Sequence, residues 1–128
     1  SAQGGRNLGE QLLAKYPDLS AIWAVDDVLA AGIGAAAKAA NRTIVVTGLN
    51  GDQDGIQAIQ QGQMSATWYV DSVKTGMTAA ELSARVLKGD AQPTELPLKY
   101  VAQPVLYTKD NVDKWAPPEK QIPYPELK

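Results

Sequence analysis

Residues 21–52 read AIWAVDDVLAAGIGAAAKAANRTIVVTGLNGD, and this stretch decides the fold. It opens on AIWAV (21–25), an apolar run of the length a buried strand needs. Asp26 and Asp27 follow, where the N-cap and first turn of a helix favour acidic side chains. The alanine-rich run 28–40 predicts that helix, closed by Asn41. TIVVTGL (43–49) is rich in β-branched residues and predicts a second strand. Strand, helix, strand at this spacing is the repeating unit of a parallel α/β sheet.

The same grammar extends in both directions. Upstream, Leu8, Leu12, Leu13 and Tyr16 fall at helical spacing, and Pro17 ends the helix they predict. Downstream, Asn50-Gly51-Asp52 reads as a turn and 54–61 as a helix ended by Gly62. MSATWYV (64–70) is a third strand, and 72–88 is a long amphipathic helix stopped by Gly89. Residues 98–107 are extended but interrupted by Pro104, which predicts an edge strand or crossover. The predicted fold class is α/β, a three-layer α/β/α sandwich with a mainly parallel central sheet. It forms one domain over 1–116, followed by an extended tail over 117–128 that carries Pro117, Pro118, Pro123 and Pro125. In such sheets ligands sit outside the carboxyl ends of the strands. Here those ends carry Asp26, Asn50 and the pair Val70-Asp71.

Composition removes several functions. The 128 residues include no Cys and no His, so disulfides, thiolate metal sites, His-ligated zinc and imidazole catalysis drop out. A net charge of −2 without a basic cluster argues against binding to nucleic acid or to an anionic membrane surface. No stretch approaches the ~18 consecutive apolar residues of a membrane span, and no signal peptide is visible in this chain.

Several motifs have a sharp reading and a plain one. Asn50, Asp52, Asp54 and Gly55 imitate the start of an EF-hand loop, but its twelfth position holds Gln61 instead of a bidentate Glu, so no metal is expected. Gly32-Ile33-Gly34 with Ala37 imitates a nucleotide fingerprint. It lies inside the helix instead of opening it, so close helix–sheet packing is the better reading and no cofactor is expected. Trp68 and Tyr69 offer aromatic faces on which a ligand ring can stack, although strand alternation turns only one of them to any one side. Trp23, in mid-strand, is expected in the core, and Trp115 is expected to pack beside the closing segment. No feature selects a catalytic pair among Asp26, Asp27, Asp52, Asp54 and Asp71.

Three stretches, taken together, resemble a known family. They are LLAKYPDLSAIWAVDDVLAAGIGAAAKAA (12–40), IVVTGLNGDQDGIQAIQQGQMSATW (44–68) and VLYTKDNVDKW (105–115). In order and spacing they are similar to the ribose-binding-protein group of type I periplasmic receptors. The resemblance implies a two-lobed receptor that closes on a sugar and delivers it to an ABC importer. It implies sugar-binding roles for Asp26, where the family's NDxxAxG motif has Asn, and for Asn50, where its GFDG motif has Asp. Val70 stands where ATxxQ has Gln, which makes that side of the pocket apolar, and the neighbouring Asp71 is the candidate to compensate.

The resemblance also implies that the chain is the C-terminal part of such a receptor. Residue 1 falls within the first helix of the lobe, and helix 72–88 would pack on an N-terminal lobe that this chain lacks. The expected function is therefore binding of a monosaccharide or polyol in an interlobe cleft, without catalysis. The expected partners are the sugar, the missing lobe and the transporter permease. The expected location is periplasmic or extracellular, with the signal sequence outside this chain. Two alternatives stand beside it. One is the effector-binding domain of a lactose-repressor-type regulator, which shares the fold. The other is a small carbohydrate hydrolase, against which the lack of His and of an activated nucleophile counts.

Overall fold

A computed structural model describes residues 1–96, 103–117 and 120. Helix α1 (Ala2–Lys15) is capped by Ser1, whose hydroxyl accepts from Gly4 N. Strand β1 (Ala21–Trp23) leads into α2 (Asp27–Ala39), and Asn41 leaves that helix at φ 52°. β2 (Val45–Asn50), α3 (Gln53–Gln60) and β3 (Ala66–Tyr69) continue the alternation. α4 (Ser72–Lys88) ends on Gly89 in the left-handed conformation (φ 81°), which glycine adopts at no steric cost. β4 (Val105–Thr108) follows Pro104.

The sheet order is β1-β2-β3-β4, with the first three strands parallel and β4 antiparallel to β3. The α/β class and the mainly parallel sheet are those the sequence predicts. β4 is the expected edge strand, but it starts after Pro104 instead of being interrupted by it. A proline at that point removes no ladder hydrogen bond. The first half of the predicted 98–107 element and most of the proline-rich tail lie outside the described residues.

The core lies between the sheet and the helices of one face. Ala30 and Ile33 of α2, Ile56, Ala58 and Ile59 of α3, and Val46, Tyr69 and Tyr107 of the sheet form one buried cluster. A second, smaller cluster of Leu13, Ala36 and Ala37 holds α1 along α2. Alternation sends the remaining strand residues the other way. Trp23, Thr47, Ala66 and Thr108 form one cross-sheet row, and Leu49, Trp68 and Leu106 the next. Trp23, Val45, Trp68 and Leu106 on that face are exposed. No residue of α4 is buried.

This corrects the reading of Trp23 as core. The AIWAV run looks like a strand buried on both faces, yet only Ala24 within it is buried, and Trp23 is 64% exposed. The period of two turns Ile22 and Ala24 toward the helices, so the larger indole faces outward.

The glycines inside α2 serve close packing. A Cβ on Gly32 would collide with the Ala2 carbonyl and the Arg6 amide of α1, and one on Gly34 with the Gln63 backbone. This corrects the expected helix–sheet packing: Gly32 lies against helix α1 and Gly34 against the loop after α3. Helix propensity alone favours Ala over Gly by about 1 kcal/mol. The clash is with backbone, which cannot swing aside, and overpacking of this kind costs about 1–3 kcal/mol. Gly32→Ala is therefore expected to be destabilising on balance, read as a lower urea midpoint with an unchanged slope.

Candidate functional site

Parallel pairing brings the carboxyl ends of β1, β2 and β3 to one edge of the sheet, and α2, α3 and α4 each start from that edge. Three of the acidic residues there are N-caps. Asp26 Oδ1 accepts from Leu29 N at 2.7 Å, Asp52 Oδ1 from Gly55 N at 3.1 Å and Asp71 Oδ1 from Lys74 N at 2.8 Å. Each cap satisfies an otherwise orphaned helix amide with one carboxylate oxygen. Among the described residues the second oxygen of Asp26 has no partner. Capping and ligand binding are thus compatible uses of one side chain, and Asp26 and Asp71 are both partly exposed.

Asn50 closes β2 on the same edge. Its side chain is exposed, and its backbone has φ 114°, where non-glycine residues are rare. The Asn50 carbonyl accepts from Val70 N at 3.1 Å, which fixes the ends of β2 and β3 side by side. Val70 is exposed there, so this part of the rim is apolar.

The two aromatic candidates separate as alternation requires. Trp68 is 43% exposed on the open face of the sheet. Tyr69 is 6% exposed and packs edge-to-face on Tyr107, with ring centroids 6.2 Å apart. Tyr69 is therefore a core residue turned away from the rim, a correction to its reading as a stacking partner. The glycine of the turn lies against it, since a Cβ on Gly51 would collide with the Tyr69 side chain.

Beneath the rim lies a residue that sequence reasoning took for a first-turn acid. Asp27 is 0% exposed. Its Oδ2 accepts from Gly51 N at 2.8 Å and from Asp52 N at 3.1 Å, and its Oδ1 accepts from the Thr67 hydroxyl at 2.6 Å. Thr67 is equally buried, and its Oγ1 also accepts from Gly51 N at 3.2 Å. On the other side of the turn, the Trp115 indole donates to the Gly51 carbonyl at 2.9 Å. Trp115 thus joins the closing segment to the turn, and Asn111 shapes that segment by accepting from Thr108 N and donating to the Leu106 carbonyl. Among the described residues no three acidic side chains converge to hold a metal ion.

Residues 1–91 match the periplasmic binding protein domain family. The chain belongs to that family. It is 34% identical over 94 residues to the ribose import binding protein of Haemophilus influenzae, a match that covers 73% of this chain and 32% of that protein. It is 31% identical over 106 residues to the D-apiose import binding protein of Paraburkholderia graminis, covering 82% of this chain and 33% of that one. The chain therefore spans about a third of the length of the curated relatives it matches. Its fold is that of a sugar ABC transporter sugar-binding protein from Bacillus halodurans, with a TM-score of 0.81, 23% identity, and coverage of 91% of this chain and 43% of that one. The relatives matched are binding proteins.

Within this periplasmic binding protein domain, Asp27 has the perturbed titration. Burial pushes its carboxyl up from the ordinary 3.8 to about 6, and the Asp52 carboxylate adds to the rise, while the Thr67 hydroxyl and the Asp52 and Gly51 amides pull it back. A carboxyl with a raised folded value is better protonated in the native state. Its stabilising contribution is thus complete below the unfolded value and disappears as pH rises through about 6. The expected contribution is about 3 kcal/mol at most. Urea denaturation between pH 4 and 7 checks this: the wild-type chain should lose stability relative to Asp27→Asn as the pH rises across that window.

Proposed function

We propose that this chain is part of the solute-binding component of an ABC importer and takes a monosaccharide or polyol at the strand ends. The observation that carries the reading is the rim itself. Asp26, with one carboxylate oxygen unused, and the exposed amide of Asn50 stand at adjacent strand ends. A carboxylate accepts from sugar hydroxyls, and an amide both donates and accepts, so the two complement a polyhydroxylated ligand. Asp71 extends the polar set beside the apolar Val70, and the exposed Trp68 offers an aromatic surface for the C–H face of a ring. The names of the relatives support a pentose as the first ligand class to try.

A second lobe completes the receptor in this reading, and its closure over the rim takes the ligand out of water. The surface of α4 supports that partner. Val73, Met77, Ala80, Ala84 and Leu87 recur on one side of the helix, and Leu87 is 87% exposed. The transporter permease is the further partner, and the location is periplasmic or extracellular.

The test is a ¹H-¹⁵N NMR titration of the chain with D-ribose, D-apiose, hexoses and polyols. Shifts centred on Asp26, Asn50 and Asp71 with one sugar are expected. Two variants isolate the side chains without disturbing the backbone. Asp26→Ser keeps an N-cap oxygen but loses the second carboxylate oxygen. Asn50→Gly keeps the positive φ but loses the amide. Each is expected to weaken binding about tenfold or more. Sugar-induced shifts confined to another surface, or variants that bind as the wild type does, would refute this assignment.

A further inference from the structure

Asn50 sits in a backbone region that costs free energy for any residue but glycine, and something outside Asn50 has to hold it there. Its own carbonyl is tied to Val70, but the restraint is densest on the following two residues. Both backbone polar groups of Gly51 are engaged by distant elements. The amide donates to Asp27 and Thr67, and the carbonyl accepts from Trp115. The Asp52 amide donates to the same Asp27 oxygen. Asp27 has no exposed surface, so a ligand on the rim cannot touch it. Nor does an acidic side chain in the first turn of a helix need burial to interact with the helix dipole. The interior is shaped around this carboxylate, because a Cβ on either Gly48 or Gly55 would collide with it.

We propose that Asp27 is a positioning residue for the strand-end site: by fixing the Gly51 and Asp52 amides, its buried carboxylate holds Asn50 in the backbone conformation that presents its side chain on the rim. Thr67 is its second anchor, tying the same carboxylate to β3. The inference rests on the strand-end site proposed above, because it assigns Asp27 a role in binding through Asn50. Asp52 is the other carboxylate that faces Asp27, and it is held in place as the N-cap of α3.

Asp27→Ala and Asp27→Asn, studied in isotope-labelled protein, decide the matter. The backbone conformation of Asn50 is read from its amide–Hα coupling and its carbon shifts, with no ligand required. In Asp27→Ala, Asn50 is expected to leave the positive-φ region, and affinity for the sugar that binds the wild type is expected to fall about 10- to 100-fold. Asp27→Asn keeps one oxygen for the two amides and an NH₂ group for Thr67, so it is expected to restore both the signature and the affinity. An Asn50 that keeps its positive φ in Asp27→Ala overturns the proposal, whatever the sugar does. A chain that binds no sugar but loses the Asn50 signature leaves the positioning role standing and removes the function proposed above. Should Asp27→Ala fail to fold, a pH titration of the wild type serves instead. The Gly51 and Asp52 amide protons are expected to shift together with a midpoint of about 6, and amides that do not respond overturn the proposal.

Discussion

The buried carboxylate of Asp27 joins parts of the chain that have no sequence proximity. It stands at the start of α2, accepts from the turn after β2, and is bonded to a hydroxyl in the middle of β3. A carboxylate removed from water is costly unless its lone pairs are used, and here three donors use them. Removing any one donor leaves a deficit in the interior. The rest of the site follows from this arrangement. β2 and β3 end side by side, the Asn50-Gly51 turn takes its positive φ angles, and α3 begins at Asp52 with its cap in place. The small residues nearby belong to the same constraint, because Gly48 and Gly55 leave the space that the carboxyl group fills.

The rim above this network has a division of labour between backbone and side chains. Helix capping takes one oxygen from each of Asp26, Asp52 and Asp71, so the acidic character of the strand ends is largely structural. In the proposed sugar-binding role, what is left for a ligand is the second oxygen of Asp26, the Asn50 amide and the part of Asp71 that is open to solvent. Against the pattern that the ribose-binding-protein resemblance implies, acid and amide have exchanged places between the first two strand ends, and Val70 takes the place of a third polar group. The exchange keeps hydrogen-bonding capacity but reverses its polarity along the rim. The loss at Val70 lowers that capacity on one side.

Much of this was legible in the sequence, for reasons that differ from element to element. The parallel sheet was readable because β-branched runs alternate with helical spacing, and α4 because its amphipathic pattern is long and ends in Gly89. The rim was readable because polar residues at the ends of apolar runs are conspicuous in an α/β chain. Trp23 was misread because a continuous apolar run carries no sign of which face is open. Tyr69 and Trp68 were separable only in principle, since alternation states that they diverge but not which of them faces inward. The Asp27–Gly51–Thr67 network was out of reach, because its members look like a helix-start acid, a turn glycine and a strand threonine, each with a sufficient local explanation. The one hint was the coincidence of two adjacent acids after an apolar run with glycines at 48 and 55, where a buried acid needs space.

The Trp115 indole brings a consequence of a different kind, one of range along the chain. Its bond to the Gly51 carbonyl spans 64 residues, against 24 for the contact between Asp27 and the Gly51 amide. Contacts between distant segments carry a larger loop-closure cost and depend on structure already in place. Strands β1 to β3 and helices α2 and α3 supply most of the main buried cluster, to which β4, Val112 and Trp115 add. The amide side of the turn depends on α2 and β3 alone, whereas its carbonyl side also needs the closing segment. Molecules in which that segment has not yet docked would carry every residue of the rim and still lack a finished turn. In this fold the turn that carries Asn50 is complete only where the closing segment is docked against it.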